Sequence, residues 1–247
     1  MAKTSVITVP AFADTKKRVH HFFGTRQHTM EYDLGLGIPR QGIQGGAPSA
    51  WTLSVKQVHG TDALVVDRAL SSTDRFLGGW DALVTNQPGV MVAVRTADCV
   101  PILMYDPTHG VVAAIHAGWR GAVGGIVPKT LALLEAQFGS NPKQVRLSIG
   151  PSAGMCCYEV DEPVLERVRQ GVPSWGKVVR LGNEGKAKLN LKGLIKEQAL
   201  AHGVTPLTIT TVNLCTICHE ALFFSYRREG KVNGTMISAI GLPPKRR

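Results

Sequence analysis

The sequence predicts a mixed-sheet α/β protein folded as one domain, and three observations carry that prediction. Apolar runs of strand length, rich in β-branched residues and separated by turn residues, fill residues 52–116. Helical spacing of apolar residues begins only after Gly121. Strand-like segments then return between the helices and near the end, and elements mixed in this way pack as layers around one core. A chain of 247 residues can form one large domain or two small ones. No internal repeat, low-complexity tract or linker divides it, so residues 1–247 are read as one domain.

Taken in order, DLGLGIPRQGIQGGAPSA (33–50) is rich in glycine and proline and reads as a long loop. Strands follow at 52–58 (TLSVKQV), 63–67 (ALVVD), 81–85 (DALVT), 90–96 (VMVAVRT), 101–106 (PILMYD) and 111–116 (VVAAIH). The turn Asp106-Pro107-Thr108-His109-Gly110 separates the last two. IVPKTLALLEAQF (126–138) carries apolar residues at three- and four-residue spacing, with Pro128 in the first turn and Gly139 as C-cap. Asp161 caps a helix through Arg169, with Glu162 and Pro163 in its first turn. Asn190 caps another through Ala201 that ends at Gly203. Strands at 145–150, 207–212 and 235–240 complete the set, and 243–247 (PPKRR) is a solvated basic tail.

Hydrophobic residues make up 44% and charged residues 19%, the balance of a soluble globular protein. No apolar run approaches the ~20 residues of a membrane helix. MAKTSVITVPAFAD has no charged segment leading into a long apolar stretch, so no signal peptide is expected. Five cysteines, with Cys156 and Cys157 adjacent, do not form a secreted disulfide framework, and a reducing cytoplasm is the expected location. The net charge of +10 is dispersed, apart from Lys16-Lys17-Arg18 and Lys245-Arg246-Arg247. Without aromatic interleaving or a recognition motif it does not point to nucleic acid, while a phosphorylated small molecule remains a fitting partner.

Three apolar segments end on a metal-competent residue beside a sharp turn: SVKQVHG with His59, VRTADCVP with Cys99 and VVAAIHAGWRG with His116. One thiolate and two imidazoles suit Zn²⁺, with a fourth position left for water or substrate. Each residue also has a structural reading, Cys99 as an inert buried thiol and the histidines as hydrogen-bonded turn residues. Arg95 lies four residues before Cys99 and Arg120 four after His116, and guanidinium forks suit a phosphate or carboxylate. Arg120 also reads as a surface arginine packed over Trp119. Glycines 118, 121, 124 and 125 would let backbone approach a ligand, and the N-terminus of the following helix would favour an anion. Asp98 reads equally as an acid/base group or as a turn carboxylate.

Cys215-Thr216-Ile217-Cys218-His219 matches the haem-attachment spacing, without other signs of an exported cytochrome. As half of a structural zinc site it lacks a second pair unless Cys156 and Cys157 supply one, and adjacent cysteines make an awkward tetrahedral corner. These cysteines are therefore assigned packing or redox-inert roles. His219-Glu220 opens like HExxH, but Phe223 ends the match. The zinc deaminase signature also fails, because Leu214 precedes Cys215 and no H-x-E occurs.

KQVHGTD (56–62), DALVT (81–85), RTADCVPIL (95–103), HAGWRG (116–121), CCYEV (156–160) and FFSYRREG (223–230) occur in this order. Together they resemble the YfiH-type family, also called the laccase-domain or polyphenol oxidase family and regarded as purine nucleoside phosphorylases. The similarity runs from about His21 to Ile240. It departs from the usual pattern in KVNGTMIS after FFSYRREG, where the family commonly carries Gly-Arg, and in SAGM before the paired cysteines.

The resemblance implies one α/β domain with mixed β-sheets between helical layers, and a metal site, usually zinc, at His59, Cys99 and His116. It implies phosphorolysis of adenosine, inosine and guanosine, cleavage of methylthioadenosine, and adenosine deamination. Arg95, Arg120 and Asp98 are the candidate catalytic residues, and Lys56 and Arg227 join the two arginines as candidate substrate or phosphate contacts. Small-molecule substrates are the expected partners, with monomer and homodimer both open. Two rivals remain. One is a cysteine hydrolase with Cys99 as nucleophile. The other is a copper-dependent oxidase, disfavoured because the eight histidines include no H-x-H pair.

Overall fold

The structure, a computed structural model, describes residues 6–12, 19–27, 38–39, 51–70 and 74–244. In chain order the strands are β1 (Val6–Ile7), β2 (His20–Gly24), β3 (Ile38–Pro39), β4 (Trp51–Leu53), β5 (Ala63–Val66), β6 (Ala82–Thr85), β7 (Val90–Thr96), β8 (Val100–Asp106), β9 (Val111–Ala117), β10 (Arg146–Ile149), β11 (Glu159–Val160), β12 (Val179–Leu181), β13 (Ala187–Leu189), β14 (Ile209–Thr211) and β15 (Met236–Gly241). The helices are α1 (Trp119–Val123), α2 (Ile126–Phe138), α3 (Glu162–Gly171), α4 (Trp175–Val178), α5 (Leu191–Ala201) and α6 (Tyr226–Glu229). They form a mixed α/β single-domain fold. Its first sheet has the order β1-β2-β15-β7-β4-β3, its second β14-β10-β8-β9-β6-β5, and a small third sheet β11-β13-β12.

The two large sheets face each other. Val92 and Val94 of β7 meet Leu83, Leu103, Tyr105, Val112 and Ala114 of the second sheet. The alternate residues Val100, Ile102, Met104, Ala113 and Ile115 join Ile126, Leu131 and Leu134 of α2 and Leu194 and Ile195 of α5. Helices α1 to α5 thus cover the outer face of the second sheet. Burial on both faces explains why β8 and β9 are unbroken apolar runs rather than alternating ones. Each side chain so buried contributes about 1.5–3 kcal/mol.

The predicted elements from residue 81 onward have counterparts here, with ends moved by a few residues. Gly139 closes α2 with a φ of 70°, the left-handed conformation that favours glycine. Asn190 caps α5 by accepting the Gly193 N–H, whereas Asp161 stands at the N-cap of α3 without a side-chain bond, and α3 runs on to Gly171. Two strands are shorter than predicted. Pro206–Thr208 is a 3-10 turn that leaves only β14 of 207–212. The strand read at 52–58 ends at Leu53, because Lys56 bridges to Gly79 and Val58, His59 and Gly60 turn their N–H groups toward Asp81. The loop read at 33–50 lies outside the described residues except for β3, as do Lys16-Lys17-Arg18 and residues 245–247 of the tail. Among the described residues, no helix is long and apolar enough to cross a membrane.

Candidate metal centre and cleft

The chain crosses from one sheet to the other through a three-residue corner, Ala97-Asp98-Cys99, between β7 and β8. That corner brings Cys99 to the same end of the sandwich as His116, which pairs with Pro101 near the end of β9. His59 comes from the loop after β4. The three ligand atoms lie within 4.8 Å of one another. Cys99 Sγ is 3.9 Å from His59 Nε2, and the two imidazoles meet edge to face with centroids 4.7 Å apart. A tetrahedral zinc with ordinary bond lengths sets sulfur and nitrogen about 3.6 Å apart, so the donor set fits that metal after a small closure. His116 is buried, Cys99 half-buried and His59 exposed, so the open side of the triad faces solvent.

Asp81 organises this centre. β6 pairs with β9 at Ala82↔Ile115, which sets the residue before β6 against His116. Its carboxylate accepts from His116 Nδ1 at 2.7 Å and from the backbone N–H groups of Val58, His59 and Gly60 at 3.2, 3.0 and 2.6 Å. Holding Nδ1 leaves Nε2 of His116 free for a metal, and carboxylates commonly orient metal-binding histidines in this way. Burial pushes the Asp81 carboxyl up, but the His116 contact and the backbone donors outweigh it and hold it below its usual value. Burial likewise opposes charge on Cys99, yet the flanking imidazoles bring its pKa down to about 7. Burial would lower His116, but Asp81 and Cys99 raise it to about 9. Sequence reasoning missed Asp81. The available signal was a carboxylate opening the strand DALVT.

The glycines of HAGWRG let the protein pack closely on itself here, and Gly118 also lines the open space over the triad. A Cβ on Gly118 would stand 2.9 Å from His59 Cδ2 and 3.2 Å from Cys99 Sγ, and one on Gly121 would stand 2.8 Å from the Gly60 carbonyl oxygen. They admit the His59 loop against α1. The helix that follows these glycines, α2, has Gly125 at its N-cap, and none of its residues lines the space over the triad.

Asp98 has a φ of 89°, a conformation rare outside glycine that costs about 1–3 kcal/mol. Its oxygens accept from Thr216 Oγ1 (2.6 Å), Ser225 Oγ (2.9 Å) and the Arg227 N–H (2.7 Å). The carboxylate therefore ties the Cys99 corner to two later segments of the chain.

A cleft of about 640 Å³ opens over the triad and is lined by all the candidate residues: Lys56, Arg95, Arg120 and Arg227 as cations, with Asp98. Arg120 stacks on Trp119, its Cζ 4.5 Å from the ring centroid, while also facing the cleft. Arg227 donates to the Glu159 carbonyl at 2.9 Å and lies over Tyr158. Gln57 brackets Arg95 by exchanging two 2.8 Å bonds with its backbone. Trp119, Tyr158, Tyr226 and Val232 add apolar surface. Burial pushes Tyr158 up to about 12, so its hydroxyl keeps its proton at neutral pH. Among the other described histidines, His21, His109, His202 and His219 bond elsewhere, and none joins the triad.

Fold and site define a class: a two-sheet α/β protein whose imidazole–thiolate centre opens into a cationic cleft. Residues 41–243 match the family described as Multi-copper polyphenol oxidoreductase laccase, and the chain belongs to that family. It is 39% identical over 190 residues to a purine nucleoside phosphorylase of Bacteroides thetaiotaomicron, covering 74% of this chain and 70% of that one. It is 34% identical over 191 residues to adenosine deaminase RL5 of an unknown prokaryotic organism, covering 75% and 72%. The crystal structure of Bacillus licheniformis hypothetical protein YfiH superimposes with a TM-score of 0.81 at 27% identity, covering 98% of this chain and 97% of that one. The motifs read from the sequence point to the same family.

Proposed function

We propose that the chain is a zinc-dependent purine nucleoside phosphorylase, acting on adenosine, inosine, guanosine and methylthioadenosine, with adenosine deamination as a second activity of the same cleft. The observation that carries this reading is a His59/Cys99/His116 donor set at the floor of a cleft bearing four cations and an aromatic wall. The names of the relatives at 39% and 34% identity support both activities.

His59, Cys99 and His116 hold the metal, which supplies Lewis acidity when bound. Arg95, Arg120, Arg227 and Lys56 draw phosphate into the cleft and fix it against the sugar. One phosphate oxygen bonds to C1′ as the bond from C1′ to the purine nitrogen breaks, and the base leaves with those electrons. Arg95 and Arg120 are placed to balance charge as it moves between phosphate and base, and such positioning supplies orders of magnitude in rate. Trp119, Tyr158 and Tyr226 offer the faces on which a purine stacks. Asp98 acts as a positioning residue, because its oxygens are already engaged by Thr216, Ser225 and Arg227. The five free cysteines suit a reducing cytoplasm.

The test is chromatography of adenosine incubated with the zinc-loaded protein, with and without phosphate, beside a chelated control. Adenine and ribose 1-phosphate formed only with phosphate support phosphorolysis, and inosine supports deamination. Absence of both overturns the reading. The Cys99 pKa of about 7 favours a second reading, a thiol hydrolase with His59 or His116 as base. Metal content separates them, since a nucleophilic thiolate is not tied up by zinc. A multi-copper oxidase calls for more imidazoles than the two gathered here.

A further inference from the structure

We propose that Cys156, Cys157, Cys215 and Cys218 form a second metal centre, a structural tetrathiolate site for zinc that clamps one wall of the cleft. The four sulfurs lie within 4.8 Å of one another. Cys218 Sγ is 3.2 Å from Cys157 Sγ and 3.6 Å from Cys156 Sγ, so it approaches two partners at once where a disulfide would engage one. Sulfurs around a tetrahedral zinc are about 3.8 Å apart, which this cluster reaches with small movements.

The local backbone is built for such a centre. Adjacent cysteines on a strand would point to opposite faces. Here residues 155–157 form a turn, with the N–H groups of Cys157 and Tyr158 both donating to the Gly154 carbonyl, and the turn brings both thiols to one side. That removes the objection that the pair makes an awkward corner. On the opposite side, the turn from Cys215 to Cys218 directs the N–H groups of Ile217 and Cys218 at Cys215 Sγ, and Gly154 adds a third N–H at 3.2 Å. Three main-chain donors on one sulfur stabilise a thiolate, the form that binds metal. A Cβ on Gly154 would stand 3.1 Å from both Cys156 Sγ and Cys215 Cβ, so the glycine lets the two halves meet without a tight contact. Lys192 donates to the carbonyls of Val212 and Leu214 and lies in the field of Cys215 and Cys156, where its charge offsets that of four thiolates around a divalent ion.

The centre would fasten the turn after β10 to the segment after β14. Those segments already touch through the Thr216 N–H and the Ser152 carbonyl at 3.0 Å, and Thr216 in turn holds Asp98. The clamp therefore reaches the corner that carries Cys99 without sharing a ligand with the His59/Cys99/His116 centre, and it stands whether or not the proposed reaction does.

The experiment measures zinc per chain by atomic emission in the reduced, zinc-loaded protein, its Cys218→Ser variant and its His116→Ala variant. Two zinc ions in the wild type and one in each variant support the proposal. Cobalt loading of the Cys99→Ser variant should give the intense thiolate-to-cobalt charge-transfer bands of an all-sulfur site. Zinc should also shield four thiols beyond Cys99 from alkylation in the wild type, a readout that needs no variant. One zinc in the wild type with Cys218→Ser unchanged, free alkylation of the four cysteines, or their recovery as disulfides without a second metal each overturn it.

Discussion

Replacing Asp81 by asparagine keeps the side chain's shape and removes its charge, which isolates what the carboxylate does. Oδ1 serves His116 Nδ1 and the His59 N–H, while Oδ2 serves the N–H groups of Gly60 and Val58. An amide has one acceptor oxygen, so its NH₂ must face two N–H donors and leave them without a partner. A donor stranded in this way costs about 1–3 kcal/mol. The 58–60 loop is partly open to water, so the pair should cost near the lower bound, about 2 kcal/mol, or about 4–8 °C in thermal midpoint. His116 also loses the anion that fixes its Nδ1 proton, and such losses typically weaken metal binding about 10–100-fold. Competition against a chromophoric chelator measures the second effect and thermal denaturation the first. Asp106→Asn is the control. Asp106 holds His109 Nδ1 at the same 2.7 Å but lies at the opposite end of β8 from the metal centre, so its loss should destabilise without weakening the metal. The reasoning fails if Asp81→Asn binds zinc as tightly as the wild type, or if Asp106→Asn weakens zinc equally.

Gly118→Ala should lower zinc affinity and cost about 1–3 kcal/mol of stability, because its Cβ meets His59 and Cys99 at 2.9 and 3.2 Å. Chelator competition beside a melting curve checks both, and unchanged affinity would mean that the site relaxes freely. Arg120→Gln should raise the KM for phosphate about 10–100-fold, the worth of a charge-assisted hydrogen bond, with less effect on the KM for nucleoside. Equal effects on both would remove Arg120 from the anion site. Burial pushes the Asp106 carboxyl up, but Ser140, His109 and the backbone donors hold it below its usual 3.8. Its contribution is thus complete above that value and disappears as pH falls through the lower folded value. Stability measured down the acid limb should fall less steeply in Asp106→Asn than in the wild type.

The long elements were legible because their burial leaves a pattern. β8 and β9 are covered on both faces and show as apolar runs, and α2 shows its spacing and its glycine stop. The five-residue α1 and the strands of the third sheet are too short for any period to register. The pairing of strands into two facing sheets was hidden for a different reason. β7 and β8 are consecutive yet belong to different sheets, and only the left-handed Asp98 marks the crossing. The site was legible as residue types, but convergence of His59, Cys99 and His116 rested on the family motifs, since sequence separations of 40 and 17 carry no distance information. Asp81 stayed unread because its partners are mostly backbone N–H groups, which no side-chain pattern announces. The gathering of the four cysteines was not legible for want of the turn that rotates Cys156 and Cys157 to one side.

β15 lies in the middle of the first sheet, paired antiparallel with β2 on one side and with β7 on the other. Its residues, 236–241, are made after every other strand described here. A growing chain therefore holds β2 and β7 apart until that strand leaves the ribosome and slides between them. Thr216, Ser225 and Arg227, which grip the Asp98 corner, arrive just ahead of it. On the ribosome, β5, β6, β8 and β9 of the second sheet, with His59, Asp81, Cys99 and His116, are made long before the first sheet can close around β15. A nascent chain released before residue 241 would leave the facing edges of β2 and β7 without their shared partner strand, which makes the last stretch of synthesis the step that closes the first sheet.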